Sequence, residues 1–113
     1  MHNKKITHKD LKPENILLES TDGSNLEIKI SDFGFSCFFD PQVCLGFKHG
    51  STYYMAPEII LDEKCNEKVD IWSIGVISYM LLSGQNLFLG NSRQIVKNQI
   101  VNSEINFNQP IFE

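Results

Sequence analysis

Cysteine, tryptophan, long apolar runs and an excess of positive charge are all scarce or missing in this chain. The three cysteines, Cys37, Cys44 and Cys65, form no C-x-x-C pair, and their odd number fits free thiols, buried or half-buried, in a reducing compartment. The longest apolar stretch, Ile71 to Leu82, is 12 residues and carries Ser73, Gly75 and Ser78. A membrane helix needs about 20 apolar residues, so this stretch suits a buried helix instead. Ten Lys and Arg stand against fourteen Asp and Glu, for a net charge of −4. That balance gives no reason to expect nucleic acid or an anionic membrane as partner. The opening M-H-N-K-K-I is polar and has no apolar signal core, so an intracellular, cytoplasmic or nuclear location is expected.

With 113 residues, 42% of them apolar and 21% charged, the chain is one domain at most, of ordinary globular composition. Ordering it costs on the order of 100–200 kcal/mol of conformational entropy, so it must bury a real core. The densest chemistry lies at Thr7 to Asn15, read T-H-K-D-L-K-P-E-N. Pro13 removes a backbone donor and biases Lys12 away from helix, and no apolar alternation supports a strand. What is left is a rigid loop that holds ionisable groups at fixed spacing, the usual way of presenting reactive side chains.

Downstream, Ile16-Leu17-Leu18 reads as a short strand, and Asp22-Gly23 is a tight-turn signal. Leu26 to Ile30 alternates with period two, as a half-buried strand should. This hairpin would return Ser31-Asp32-Phe33-Gly34 to the loop, with Asp32 near Asp10 and Asn15. From Phe35 to Gly50 no periodicity holds, and an irregular loop is expected. Pro57 to Leu61 should open a short helix. Asn66 is the expected N-cap of a helix over 67–83, ended by Gly84. That helix is apolar on nearly every face and should lie centrally, with Trp72 and Tyr79 as core aromatics, though the chain offers few elements to surround it. Asn91 is the expected cap of a further helix, over 92–103, with Ile95, Val96 and Ile100 on one face. His2 and His49 read as solvated. His8 reads as packed or hydrogen-bonded, because no second His or Cys stands at metal spacing.

Taken together, H-K-D-L-K-P-E-N, D-F-G at 32–34, A-P-E at 56–58 and V-D-I-W-S-I-G-V at 69–76 resemble the C-terminal lobe of a eukaryotic-type protein kinase. A single such motif is weak, whereas four in this order are specific. The resemblance implies an α+β, protein-kinase-like fold: a partial, mainly helical lobe with a β-hairpin beside a catalytic loop at 7–15. It also implies a metal motif at 32–34 and an activation segment at 32–58. The implied activity is ATP-dependent phosphoryl transfer to Ser or Thr hydroxyls of protein substrates. Asp10 would be the general base and Lys12 the neutraliser of phosphoryl charge, while Asn15 and Asp32 would hold Mg2+ against the ATP phosphates. Leu17 would lie beneath the adenine. Ser51 would bond Asp10 and Lys12 through its hydroxyl, and Thr52 would follow it in the activation segment, with a solvated hydroxyl. His8 and Phe33 resemble members of a hydrophobic spine, Asp70 resembles a brace for the loop backbone, and Glu58 resembles half of an ion pair.

Lys12 marks the serine/threonine form of the loop. D-F-G-F-S, G-S-T-Y-Y-M-A-P-E and Y-M-L-L-S-G are similar to the calcium/calmodulin-dependent and calcium-dependent group. That likeness implies substrates basic upstream of the acceptor, with Glu14 as a contact, although Met80 stands where many such kinases carry an acid. Lys9 replaces the usual Arg and cannot form its bidentate fork on a phosphate. No Ser, Thr or Tyr lies between Cys37 and Gly50, so activation-loop phosphorylation is not the expected switch. The chain shows none of the family's N-terminal-lobe features (glycine-rich loop, ATP-anchoring Lys, partner Glu). On its own it is therefore expected to be inactive, and a non-catalytic interaction module is the alternative.

Overall fold

The computed structural model describes residues 1–19, 27–39, 50–105 and 107. Among these the arrangement is α+β, with two small antiparallel sheets and three helices. The expected hairpin forms from β2 (Ile16–Leu18) and β3 (Ile28–Ile30), in the register Ile16–Ile30, Leu17–Lys29, Leu18–Ile28. Backbone bonds from Ser31 N to Asn15 O and from Glu19 N to Glu27 O, each 2.9 Å, extend the ladder at both ends. The first of these fixes the entry to Asp32 beside Asn15. The tight turn expected at Asp22-Gly23 lies outside the described residues.

One expectation about the hairpin fails. The strand expected to be half-buried, β3, has Ile28 and Ile30 exposed, as Leu17 and Leu18 of β2 are, while Leu26 lies outside the described residues. Period two identified the strand correctly, but alternation says which residues share a face and not whether anything covers that face.

A second sheet escaped the sequence reading. β1 (Ile6–Thr7) pairs with β4 (Cys37–Phe38), Ile6 opposite Phe38 and Thr7 opposite Cys37. The segment expected to be irregular thus begins with a strand, too short to show any period; residues 40–49, His49 and Cys44 among them, lie outside the described residues. Cys37 is a free thiol, as expected. Cys65 is not, being disulfide-bonded. Spacing along the chain carries no information on which sulfurs meet in space.

The helices are α1 (Pro57–Ile60), α2 (Lys68–Ser83) and α3 (Arg93–Asn102). Pro57 stands in the first turn of α1, where its missing N–H costs nothing. Gly84 ends α2 in a left-handed conformation, φ 69°, with its N–H on Met80 O. At the other end the expected cap is displaced by one residue. Glu67 occupies the cap position with a helical backbone, yet Asn66 Oδ1 still accepts from Lys68 N at 2.9 Å. α3 is capped by Ser92 and not by Asn91: Ser92 Oγ accepts from Ile95 N at 3.3 Å. Replacing Ser92 by Ala is expected to lower stability by about 1 kcal/mol, read as a shift in urea midpoint, while Asn91→Ala leaves it unchanged.

α2 organises the core. Its first turns pack Val69 with Met55, Ala56, Ile59 and Cys65, and its middle packs Val76 with Phe88, Val96 and Ile100. Trp72, partly buried, joins the two clusters and stacks on Phe88 with 6.2 Å between centroids and 6° between planes. Tyr79 is buried, as expected of a core aromatic. The other side of α2 is bare: Ile71, Ile74, Leu81 and Leu82 are exposed. So the helix is apolar all round but covered on one side within this chain. On α3, Val96 and Ile100 are buried while Ile95 is exposed, so the apolar face is narrower than expected.

Candidate active site

Asp10 lies in the loop between β1 and β2, 5% exposed. Each of its polar atoms is engaged. Oδ2 accepts from Lys12 Nζ at 2.8 Å, and Oδ1 accepts from the Ser51 backbone N–H at 3.0 Å. The main-chain N–H of Asp10 donates to His8 Nδ1 at 3.3 Å, and its carbonyl accepts from Asn15 Nδ2 at 2.9 Å. The Pro13–Asn15 stretch forms a single 3-10 turn, which swings Asn15 back beneath Asp10. Pro13 supplies the pre-set φ at its first position.

The Ser51 contact corrects one expectation. The bond to Asp10 comes from the main-chain N–H, so the hydroxyl is not what holds the carboxylate. Thr52 is largely buried as a residue, within the 3-10 turn Thr52–Tyr54. That turn is tied to α2 by Ser73 Oγ, which donates to Tyr54 O at 2.7 Å.

Gly50 makes the approach of this segment possible, and the sequence reading passed over it. Its φ is +125°, and a Cβ there would stand 3.2 Å from Asp10 Oδ1. A glycine next to a reactive loop signals a backbone needing either positive φ or a close approach, and here both apply. Gly50→Ala should therefore displace the Asp10 carboxylate. The expected result is a loss of about 1–3 kcal/mol in stability at little change in helical content, checked by urea unfolding and circular dichroism.

Asp70 lies at the start of α2 and is fully buried. Oδ2 accepts from His8 N at 2.8 Å and Oδ1 from Lys9 N at 2.9 Å, so one carboxylate clamps two successive backbone amides of the loop. Lys9 is held at φ 68°, a left-handed conformation that costs a non-glycine residue about 1–3 kcal/mol unless its surroundings enforce it. The Asp70 clamp is that enforcement. His8 is structural, as expected: its ring Nε2 donates to Ser31 O at 2.9 Å, and its face meets the Phe33 ring at 4.9 Å and 61°. This ties the loop to the end of β3. His2, expected to be solvated, is only partly so. Its Nε2 donates to Asp70 Oδ2 at 2.7 Å. A lone His 68 positions from its partner gives no signal in a sequence.

Asp32 follows β3 at φ 59°, another left-handed residue, with Oδ1 accepting from Gly34 N at 3.3 Å. Gly34 has little room for a side chain, since a Cβ would lie 3.1 Å from that oxygen. The Asp32 side chain is exposed, as are Glu14 and Leu17. Glu58 is partly buried and makes no ion pair among the described residues. Ser36 Oγ donates to Phe33 O at 2.6 Å and steadies the turn after Asp32.

Charge converges on Lys12. The hydrogen bond to Asp10 raises its pKa above the usual lysine value; burial opposes this, and the charges of Asp10, Glu14 and Asp32 add to it. The ammonium therefore stays charged throughout the neutral range. Tyr54 is pushed up as well, by burial first and then by Glu14, with Lys12 opposing. Lys12, Glu14, Asp32 and Tyr54 thus share one electrostatic neighbourhood around Asp10.

The donor set suits a hard cation that brings its own further ligands. Asn15 Nδ2 is committed to Asp10 O, which turns Asn15 Oδ1 away with no hydrogen bond among the described residues. Asp32 keeps one carboxylate oxygen unbonded in the same sense. No group of three or more His, Cys, Asp or Glu among the described residues forms a metal cage. Two or so protein oxygens, with substrate phosphates and water completing the shell, is the pattern Mg2+ takes in nucleotide sites.

Comparison with known proteins identifies the family. The protein kinase domain family matches residues 1–112. Calcium-dependent protein kinase 4 of Plasmodium berghei is 41% identical over 116 residues, covering 100% of this chain and 21% of its own length. Myosin light chain kinase 2, skeletal/cardiac muscle, of Bos taurus is 39% identical over 113 residues, covering 100% of this chain and 18% of its own. Serine/threonine-protein kinase ATG1b of Arabidopsis thaliana is 44% identical over 103 residues, covering 90% and 14%. The chain spans about a fifth or less of the length of these relatives. On this match the chain belongs to the protein kinase family, and its likeness within it is to serine/threonine kinases of the calcium-dependent kind.

Proposed function

We propose that this chain is the catalytic-lobe part of a longer kinase that transfers the terminal phosphoryl group of ATP to Ser or Thr hydroxyls of proteins. One observation carries the reading. The Asp10 carboxylate is buried and held at both oxygens, by Lys12 Nζ and Ser51 N, while Asn15 bonds the Asp10 carbonyl and the Asp32 charge acts on Lys12. In that position Asp10 orients and accepts the proton of the attacking hydroxyl, and Lys12 offsets charge on the group in transit. Asn15 Oδ1 and the open oxygen of Asp32 hold Mg2+. When bound, the metal neutralises charge on the ATP phosphates. Leu17, 50% exposed on β2, offers an apolar surface to the adenine. Glu14, exposed and acting electrostatically on Lys12, would meet a basic side chain of the substrate. His8, Phe33 and Asp70 support the loop, and Ser51 and Thr52 carry the activation segment past Asp10.

The test uses a chain in which this segment is joined to a nucleotide-binding N-terminal lobe. Phosphate transfer to a Ser/Thr peptide is expected to fall below detection when EDTA removes divalent cations. In Asp32→Ala it should fall by about 100-fold or more, since even the outer-shell partners of metal ligands carry roughly 10- to 100-fold. Transfer that persists in EDTA would rule out the metal role of Asn15 and Asp32.

A second reading, a non-catalytic interaction module, has its own support. The hairpin surface around Leu17, Leu18, Ile28 and Ile30 is uncovered in this chain, as is one face of α2. An in-frame glycine-rich strand and a V-A-x-K-like strand upstream in the coding sequence would decide for the enzyme; their absence there would decide for the module.

A further inference from the structure

We infer that His2 is a positioning residue of the catalytic loop, acting on Asp10 through the Asp70 carboxylate. As it concerns turnover, this rests on the reading of Asp10 as the base.

The chain of contacts is short. His2 Nε2 donates to Asp70 Oδ2 at 2.7 Å, and that same oxygen accepts from His8 N at 2.8 Å. The other Asp70 oxygen accepts from Lys9 N at 2.9 Å, and Asp10 follows directly. A fully buried carboxylate is costly unless it is paired and its lone pairs are filled. The two loop amides bring partial positive charge alone, and among the described residues His2 is the side chain that hydrogen-bonds Asp70. Without the imidazole, Oδ2 keeps one hydrogen bond, and the carboxylate gains from turning towards water. Any such rotation pulls on both amides at once. Lys9 is then the weak point, because its left-handed backbone at φ 68° is held by the clamp.

The position of His2 is itself built. It opens a 3-10 turn, His2–Lys4, that closes with Lys5 N on His2 O at 2.8 Å. Lys5, at φ 55°, then redirects the chain into β1, and Phe39 N bonds Lys5 O beside the β1–β4 ladder. The imidazole side chain remains 27% exposed, enough for solvent and small solutes to reach it.

Three variants test the idea: His2→Ala, His2→Gln, whose Nε2 can reproduce the donor, and His2→Asn, whose shorter amide cannot reach. Amide hydrogen exchange in the 113-residue chain is the first readout. His2→Ala and His2→Asn are expected to speed exchange at His8 and Lys9 by about tenfold, the factor one charge-assisted hydrogen bond carries, with Val96 and Ile100 unchanged. His2→Gln should retain most of the protection, and added imidazole should restore it in His2→Ala. The second readout is turnover in a chain that includes the N-terminal lobe: kcat falls in His2→Ala while KM for ATP holds, and imidazole recovers kcat. Unchanged exchange at His8 and Lys9 in His2→Ala would overturn the proposal. So would acceleration spread evenly over α3, or a His2→Gln variant no better than Ala. Loss of protection at the two amides with kcat unaffected would leave the clamp standing and count against Asp10 as the base.

Discussion

Asp10→Asn, in a chain joined to a nucleotide-binding N-terminal lobe, is expected to lower kcat by about 10²- to 10⁴-fold, the usual contribution of a positioned general base, with nucleotide affinity largely kept. The substitution is nearly isosteric, so an amide oxygen can still accept the Ser51 N–H that now bonds Oδ1. What it removes is the charge. The carboxylate no longer accepts a proton, and Lys12 loses the partner that holds it at 2.8 Å. A freed Lys12 is still charged, since the hydrogen bond to Asp10 raises a pKa that is already high without it. ATP should therefore meet the same positive group, in a slightly different place. Single-turnover phosphate transfer and calorimetric ATP binding, measured side by side, separate the two effects. Turnover near the parent rate would remove Asp10 from its role. A parallel collapse of binding and turnover would instead mean that the residue holds the loop together.

The second large effect is on stability. Asp70→Ala is expected to destabilise the fold by about 3 kcal/mol or more, because it strands two buried loop amides, each worth about 1–3 kcal/mol when unsatisfied. Relief from burying a carboxylate offsets part of that, which keeps the figure below the sum of the two. Lys9 has no further reason to stay left-handed, so the loop should relax as well. Asp70→Asn keeps one acceptor and should lose roughly half as much. Urea unfolding at constant m-value measures both. A midpoint change equivalent to less than about 1 kcal/mol in the Ala variant would show that the clamp is not a stability element.

Much of this was legible from the chain alone, for a definite reason. The chemistry of Asp10, Lys12 and Asn15 lies within six consecutive residues, and Pro13 fixes how they turn. Asp32 follows because a hairpin returns the chain to where it started. Gly84 declares the end of α2, and the apolar residues between declare its centrality. What stayed hidden depends on distance or on coverage. β4 is two residues long and exists because β1 lies beside it. His2 looked solvated because its partner is in another element, and Cys65 looked free because sulfur pairing is a matter of space. The hairpin looked half-buried because a period names a face and not its cover. The caps slipped by one residue, Asn66 for Glu67 and Asn91 for Ser92, because neighbouring polar residues compete for the same amides. Gly50 was readable in principle, yet its use is clear once Asp10 Oδ1 is seen beside it.

The Asp70 clamp also sets an order of events during synthesis. The loop leaves the ribosome first, and the carboxylate that holds His8 and Lys9 is 62 and 61 residues behind them. Closing a chain segment of that length costs about 4 kcal/mol in entropy, and two or three hydrogen bonds alone scarcely recover it. The remainder must come from α2 docking its apolar residues. A nascent chain released before residue 70 would therefore carry the complete H-K-D-L-K-P-E-N signature with its reactive carboxylate unplaced.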